Sequence, residues 1–167
     1  MANLELVKAT KEYIPVIQEI SDDVWPKTFS EILSPTQIRY MMDMMYSTES
    51  LTRQMDEQDH HYLLVKEGDN WLGYLSYELN YKGKPWMKVH KIYVLPTAQG
   101  KGVGRFFLEE AAQIASAAGM QEVSLNVNRF NKAVDFYKRV GYEVIGSEDI
   151  DIGNGFLMED YIMNRKL

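Results

Sequence analysis

Not one of the chain's 167 residues is a cysteine. Disulfides, thiolate nucleophiles and cysteine-held metals are thereby excluded, and no metal site of another kind stands out. Apolar runs are short: none approaches the ~18–20 residues a membrane-spanning helix needs, so no membrane partner is expected. The opening MANLELVKAT lacks the basic start and apolar core of a secretory signal, which makes the cytoplasm the expected location. Positive charge is also scarce, with 18 Lys and Arg against 24 Asp and Glu, a formal charge of −6. Nucleic-acid binding relies on a basic footprint, so no nucleic-acid partner is expected; a cationic ligand suits the balance better. No repeat, low-complexity linker or charge run divides the chain. With 46% hydrophobic and 25% charged residues, it reads as one domain over 1–167.

What is present alternates between two periods. LELVKA reads as a first strand, and Thr10 as N-cap of a helix in which Ile14, Ile17 and Ile20 recur, with Pro15 in its first turns. In SPTQ, Ser34 is the N-cap, Pro35 the first helical residue and Gln37 the third member of a capping box. Ile38, Met41, Met42 and Met45 then share one helix face. Strand patterns at 62–66, 71–79 and 86–95, separated by EGDN and NYKGKP, form an antiparallel meander. Val103, Phe107, Ala111, Ile114, Ala115 and Ala118 mark a helix that stops at Gly119. EVSLNVN is a strand, NKAVDFYKRVGY a helix capped by Asn131, and YEVIG and FLMEDYIMNRKL are closing strands. The order β-α-α-β-β-β-α-β-α-β-β describes an α/β chain with a mixed sheet.

The junction VLPTAQGKGVGRFF has strand pattern before it and helix pattern after it. Glycine there lets a phosphate reach backbone N–H groups, the helix's first amides lack partners of their own, and the dipole adds positive character. Gln99, Gly100, Lys101, Gly102, Val103 and Gly104 occupy that position, with Lys101 and Arg105 able to add charge. Two familiar phosphate loops fail. A P-loop needs Ser or Thr after the lysine, where Gly102 stands; a dinucleotide fingerprint needs a third glycine where Phe107 stands. The glycines would otherwise merely shape a strand–helix turn. The pattern Gln/Arg-x-x-Gly-x-Gly/Ala does fit, through Gln99, Gly102 and Gly104.

With QGKGVG and, ~25–30 residues on, LNVNRFNKAVDFYKRVGYE, the chain resembles the GNAT superfamily of acetyl-CoA-dependent N-acetyltransferases. The resemblance covers the order of elements and, in detail, residues 86–142. It implies a mostly antiparallel central sheet of about seven strands flanked by helices, splayed at the cofactor cleft. Acetyl-CoA is the implied co-substrate: the backbone of Ile92, Tyr93 and Val94 would pair with pantetheine, the 99–104 loop would hold the pyrophosphate, and Asn131 would bind the cofactor. An amide near Val94 would polarise the thioester carbonyl. Tyr137 matches the acid that protonates the departing thiolate, although Ala133, Phe136, Tyr137 and Val140 also read as one core face.

The base is where the chain departs from the family, because WMKVHKIYVLP has no carboxylate. His90, with the strand parity of Ile92 and Val94, is the candidate; a packed structural histidine, ordered water, or Glu78 stay open beside it. The ending DIGNGFLMEDYIMNRKL is more weakly similar to bacterial polyamine acetyltransferases, with Ile152-Gly153-Asn154 where Met-Gly-Asp is usual. A small amine is the implied substrate. Trp25, Phe29, Met41, Met45 and Tyr46 are pocket candidates that core packing also explains, and Asp22, Asp23, Glu31 and Glu49 are the available acids. A protein amine as acceptor, and a non-catalytic CoA-binding module, are the alternatives. Family habit and Met- and aromatic-rich elements are compatible with a homodimer.

Overall fold

Period-two alternation puts both faces of the sheet to use. Tyr62 and Leu64 belong to one buried cluster, Leu63 and Val65 to another. The computed structural model describes residues 3–167; residues 1 and 2, inside the domain bounds expected from sequence, lie outside the described residues. Its elements are β1 (Glu5–Ala9), α1 (Ile14–Phe29), α2 (Pro35–Tyr46), α3 (Thr48–Asp56), β2 (His61–Glu67), β3 (Asn70–Glu78), β4 (Trp86–Val94), α4 (Val103–Ala117), β5 (Glu122–Asn128), α5 (Ala133–Arg139), β6 (Glu143–Gly153) and β7 (Phe156–Lys166). The seven strands form one sheet in the order β1-β2-β3-β4-β5-β7-β6. Every neighbouring pair is antiparallel except β4–β5, which is parallel.

Helices α1, α2 and α3 cover one face. Ile17, Val24, Trp25, Phe29, Met41 and Leu51 pack there on Tyr62, Leu64 and Tyr74. Phe107, Leu108, Ala111 and Ala115 of α4, with Val134 and Tyr137 of α5, cover the other against Met87, Val89, Val123 and Leu125. Ala118, expected on the buried face of α4, is exposed beyond the helix end.

The expected caps form in part. Ser34 Oγ accepts the Gln37 N–H at 3.1 Å, but the Gln37 amide donates to the Leu157 carbonyl instead of closing the box. Thr10 makes no side-chain cap: a 3-10 turn, Lys11–Tyr13, intervenes before α1. Two elements differ from the sequence reading. α3 has no apolar stripe to announce it, since its buried residues are Ser50, Leu51 and Gln54. β6 runs past YEVIG through SEDIDIG as an edge strand, where one face stays in water.

Gly73, opposite Val94 on β4, shows how closely β3 and β4 approach. A Cβ there would meet the Tyr93 carbonyl oxygen, Val94 Cα at 3.2 Å and Phe107 Cε2 at 3.3 Å. Backbone cannot retreat as a side chain can, so Gly73→Ala is expected to destabilise the protein by about 1–3 kcal/mol. Urea unfolding of the variant checks this; an unchanged midpoint would show that the strands can separate freely.

Candidate active site

The site begins where a strand pair ends. β4 and β5 pair through residues 86–89 and 122–125 and no further. At the same point β3 and β4 slip register: Tyr77 lies opposite Val89 but Ser76 opposite Lys91, which leaves His90 as the extra residue of a bulge. A bulge bends its strand and adds twist, and beyond it β4 diverges from β5. A cavity of about 1040 Å³ opens in the gap.

The register also decides which backbone groups face that gap. Leu95 N–H donates to the Leu72 carbonyl at 2.8 Å. Hydrogen-bonded pairs alternate along an antiparallel ladder, so Tyr93 turns its N–H and C=O toward β3, and Ile92 and Val94 turn theirs toward the gap. Tyr93, expected to offer its backbone there, is therefore engaged on the other side. Its ring packs against Trp25, Phe29 and Tyr74.

The glycine loop closes one end. Gly100 and Gly102 have φ of 86° and 77°, the left-handed region that a side chain resists. Gly104 has a different reason: a Cβ would lie 3.2 Å from Phe136 Cζ, so its absence lets α4 start against α5. Gln99, Gly100, Gly102, Val103, Gly104 and Arg105 line the cavity. Gly102 is the N-cap of α4, so the amides that open the helix have no intrahelical acceptor, and the residues that carry them line the cavity. Lys101 corrects the sequence expectation: its ammonium pairs with Glu67 at 2.9 Å, away from the cavity, and only its backbone stays in the loop.

From the α5 side come Asn131 and Tyr137, both on the cavity wall. Asn131 Oδ1 accepts the Ala133 N–H at 2.9 Å, which fixes the side chain at the helix start and leaves its NH₂ group for a ligand. Tyr137 is 7% exposed, and burial raises its hydroxyl pKa above the usual range, keeping it protonated. Its ring meets Phe136 and Tyr142, so both sequence readings of it, core residue and cavity residue, describe the same side chain.

At the opposite end Trp25, Phe29, Met41, Met45 and Tyr46 line the cavity, and all but the half-buried Met45 are also buried core. Of the four acids expected there only Glu31 does. Asp22 and Glu49 are exposed, and Asp23 pairs with Lys27. The sequence reading missed Asp160, which lines the cavity and is buried; burial raises its pKa. Asn126 donates to it and to Glu148, at 3.3 Å each, and accepts from Lys88. Its signal was present in the MEDYIMNRKL ending.

His90 lines the cavity too, but the bulge breaks the parity it was expected to share with Ile92 and Val94. Those two pack on the α4 side, whereas His90 stacks on His60, ring centroids 4.1 Å apart, and its Nε2 donates to Glu78 at 2.9 Å. Burial, then the Lys88 and Lys91 ammoniums, pushes its pKa down to about 4. The imidazole is thus neutral near pH 7. Lys91, also unforeseen, lines the cavity and has a buried amine that donates to Tyr62 Oη at 2.7 Å and Gln54 Oε1 at 2.9 Å. Burial pushes its pKa down to about 7.

A family model, the acetyltransferase (GNAT) domain, matches residues 25–163. Over 162 residues, 94% of this chain and 96% of the relative, the sequence is 26% identical to spermidine N(1)-acetyltransferase of Thermoplasma acidophilum. A shorter stretch of 61 residues is 39% identical to the peptidyl-lysine N-acetyltransferase YjaB of Escherichia coli, spanning 36% of this chain and 38% of that one. Among solved structures, the PaiA N-acetyltransferase of T. acidophilum in complex with coenzyme A superposes with a TM-score of 0.81 at 25% identity, covering 99% of both chains.

The buried amine gives a pH test. Between pH 7 and 10.5 the unfolded chain keeps a proton on Lys91 that the folded chain has released, so stability rises with pH through that window. Relative to Lys91→Met, the wild type is expected to gain on the order of 1–3 kcal/mol between pH 6 and pH 9. Urea titrations at the two pH values read the difference; parallel behaviour of the two proteins would mean that Lys91 stays charged when folded.

Proposed function

Because the chain belongs to the GNAT acetyltransferase family, we propose that it transfers acetyl from acetyl-CoA to the primary amine of a small, polyamine-like acceptor. The observation that carries this reading is the gap beyond Val89, with unpaired strand edge on one side and a glycine-capped helix start at its end. The fit to acetyl-CoA is chemical as well as spatial. The amides that open α4, with Arg105, suit a pyrophosphate; the outward N–H and C=O groups of Ile92 and Val94 suit the amide-bearing pantetheine arm. The loop residues Gln99, Gly100, Gly102, Val103 and Gly104, the backbone of Lys101, and Asn131 complete the cofactor side.

Acetyl-CoA supplies an activated thioester. The Val94 N–H is the donor for negative charge developing on the thioester carbonyl oxygen. Tyr137, kept protonated by burial, donates its proton to the departing sulfur. His90 takes the proton released by the attacking amine, and Glu78, hydrogen-bonded to Nε2, fixes the tautomer and stabilises the imidazolium that forms. This assigns Glu78 an orienting part.

The acceptor end has an aromatic and methionine wall with Glu31 and Asp160 on it, chemistry suited to an alkyl chain carrying positive charge. The nearly full-length similarity to a spermidine acetyltransferase favours the same substrate class. The local similarity to a peptidyl-lysine acetyltransferase favours a protein amine as the second reading. The proposal treats residues 1–167 as one catalytic domain acting in the cytoplasm, with a homodimer as its assembly; among the described residues no helix is long and apolar enough to cross a membrane.

Since the protein has no cysteine, a thiol-reactive dye reports released CoA alone. Release with spermidine or spermine but not with lysine peptides is the expected result, and peptide-only release would replace the acceptor class. Tyr137→Phe is expected to lower kcat by about 10²–10⁴-fold while acetyl-CoA affinity stays within about twofold. Undiminished turnover would remove Tyr137 as the acid.

A further inference from the structure

His60, at the entrance to β2, has no part in the reaction above, yet it lies against two residues that do. One ring nitrogen from His60, one from His90 and a carboxylate oxygen of Glu78 lie within 4.8 Å of one another. The two rings are stacked, centroids 4.1 Å apart, and Glu78 Oε1 is 2.9 Å from His90 Nε2 and 3.6 Å from His60 Nε2. Ligand atoms held by ~2.0–2.1 Å bonds at tetrahedral angles are about 3.3–3.5 Å apart, so an ion here needs Glu78 to draw back slightly from His90 and the stacked rings to splay until both nitrogen lone pairs converge. Two imidazoles and one carboxylate are a zinc-type donor set that leaves a coordination position open. All three side chains are half-buried on separate elements, β4, β3 and the turn before β2, so the fold brings them together and partly shields them from water. His60 Nδ1 is buried with no hydrogen-bond partner, so nothing on that side locks its ring.

We propose that His60, Glu78 and His90 form a binding site for a divalent metal ion of the zinc class, and that an ion held there silences acetyl transfer by occupying His90. The binding stands on the geometry alone; the silencing rests on the role given to His90 above. Lys88 and Lys91 flank the cluster and oppose a cation there.

Untagged protein titrated with Co²⁺ and followed by visible absorption, and with Zn²⁺ by calorimetry, tests the site without reference to acetyl transfer. One ion per chain is expected. His60→Ala and the more conservative His60→Gln are expected to weaken binding at least tenfold, and His61→Ala, on the neighbouring exposed histidine, to leave it unchanged. Zn²⁺ is expected to inhibit the wild type, a chelator to restore it, and His60→Ala to turn over normally and resist the ion. Absence of binding, or equal binding by wild type and both His60 variants, overturns the site; metal-bound wild type that turns over at full rate overturns the silencing.

Discussion

The interruption of hydrogen bonding between β4 and β5 is what the rest of the site depends on. A parallel pair carried to its end would leave a continuous sheet and no cavity. One extra residue in β4, His90, ends the pairing after Val89 and Leu125 and bends the strand. It leaves two strand edges apart with their polar groups unpaired. Buried main-chain N–H and C=O groups left without partners are costly, so the gap is a site whose stability improves when an extended amide-bearing ligand enters it. The bulge thus opens the cavity and places its own side chain in the cavity's wall.

The loop at the slot's end rests on the same economy of backbone. Gly100 and Gly102 are there for their φ angles, Gly104 for the approach of Phe136. The result is a helix start whose open amides face a cavity instead of bulk water. Charge from side chains is secondary: Lys101 is spent on Glu67, and Arg105 is the loop cation that remains on the cavity. The motif's glycines thus fall at the end of the cavity, while the motif lysine turns its ammonium to Glu67.

Periodicity made the meander, α4, β5 and the closing strand legible, because each buries a regular stripe on one face or alternates between two. It did not reveal α3, whose buried residues are mostly polar, or the outer half of β6, which alternates at an exposed edge. Among cavity-lining residues, the 99–105 loop, Asn131 and Tyr137 belong to local motifs, because their positions follow from the elements that carry them. His60, Glu78 and His90 meet only through the β3–β4 bulge and the turn before β2, and no local spacing encodes that. The bulge likewise overturned the parity argument for His90: side-chain alternation holds only while the register does.

A cavity with no carboxylate on β4 must still let an ammonium lose its proton, and Lys91 shows how in the proposed reaction. It lines the cavity, with its amine buried against neutral groups, Tyr62 and Gln54, and burial alone brings its pKa from 10.5 to about 7. An acceptor amine entering the same apolar surroundings meets the same desolvation, which favours its neutral form before any base acts. The demand on His90 falls accordingly. A weakly basic imidazole suffices when it takes a proton from an amine already activated by its surroundings, and when Glu78 offsets the charge that results. Glu31 and Asp160 can then attract the distal charge of a longer acceptor without neutralising the lowered basicity at the reacting end.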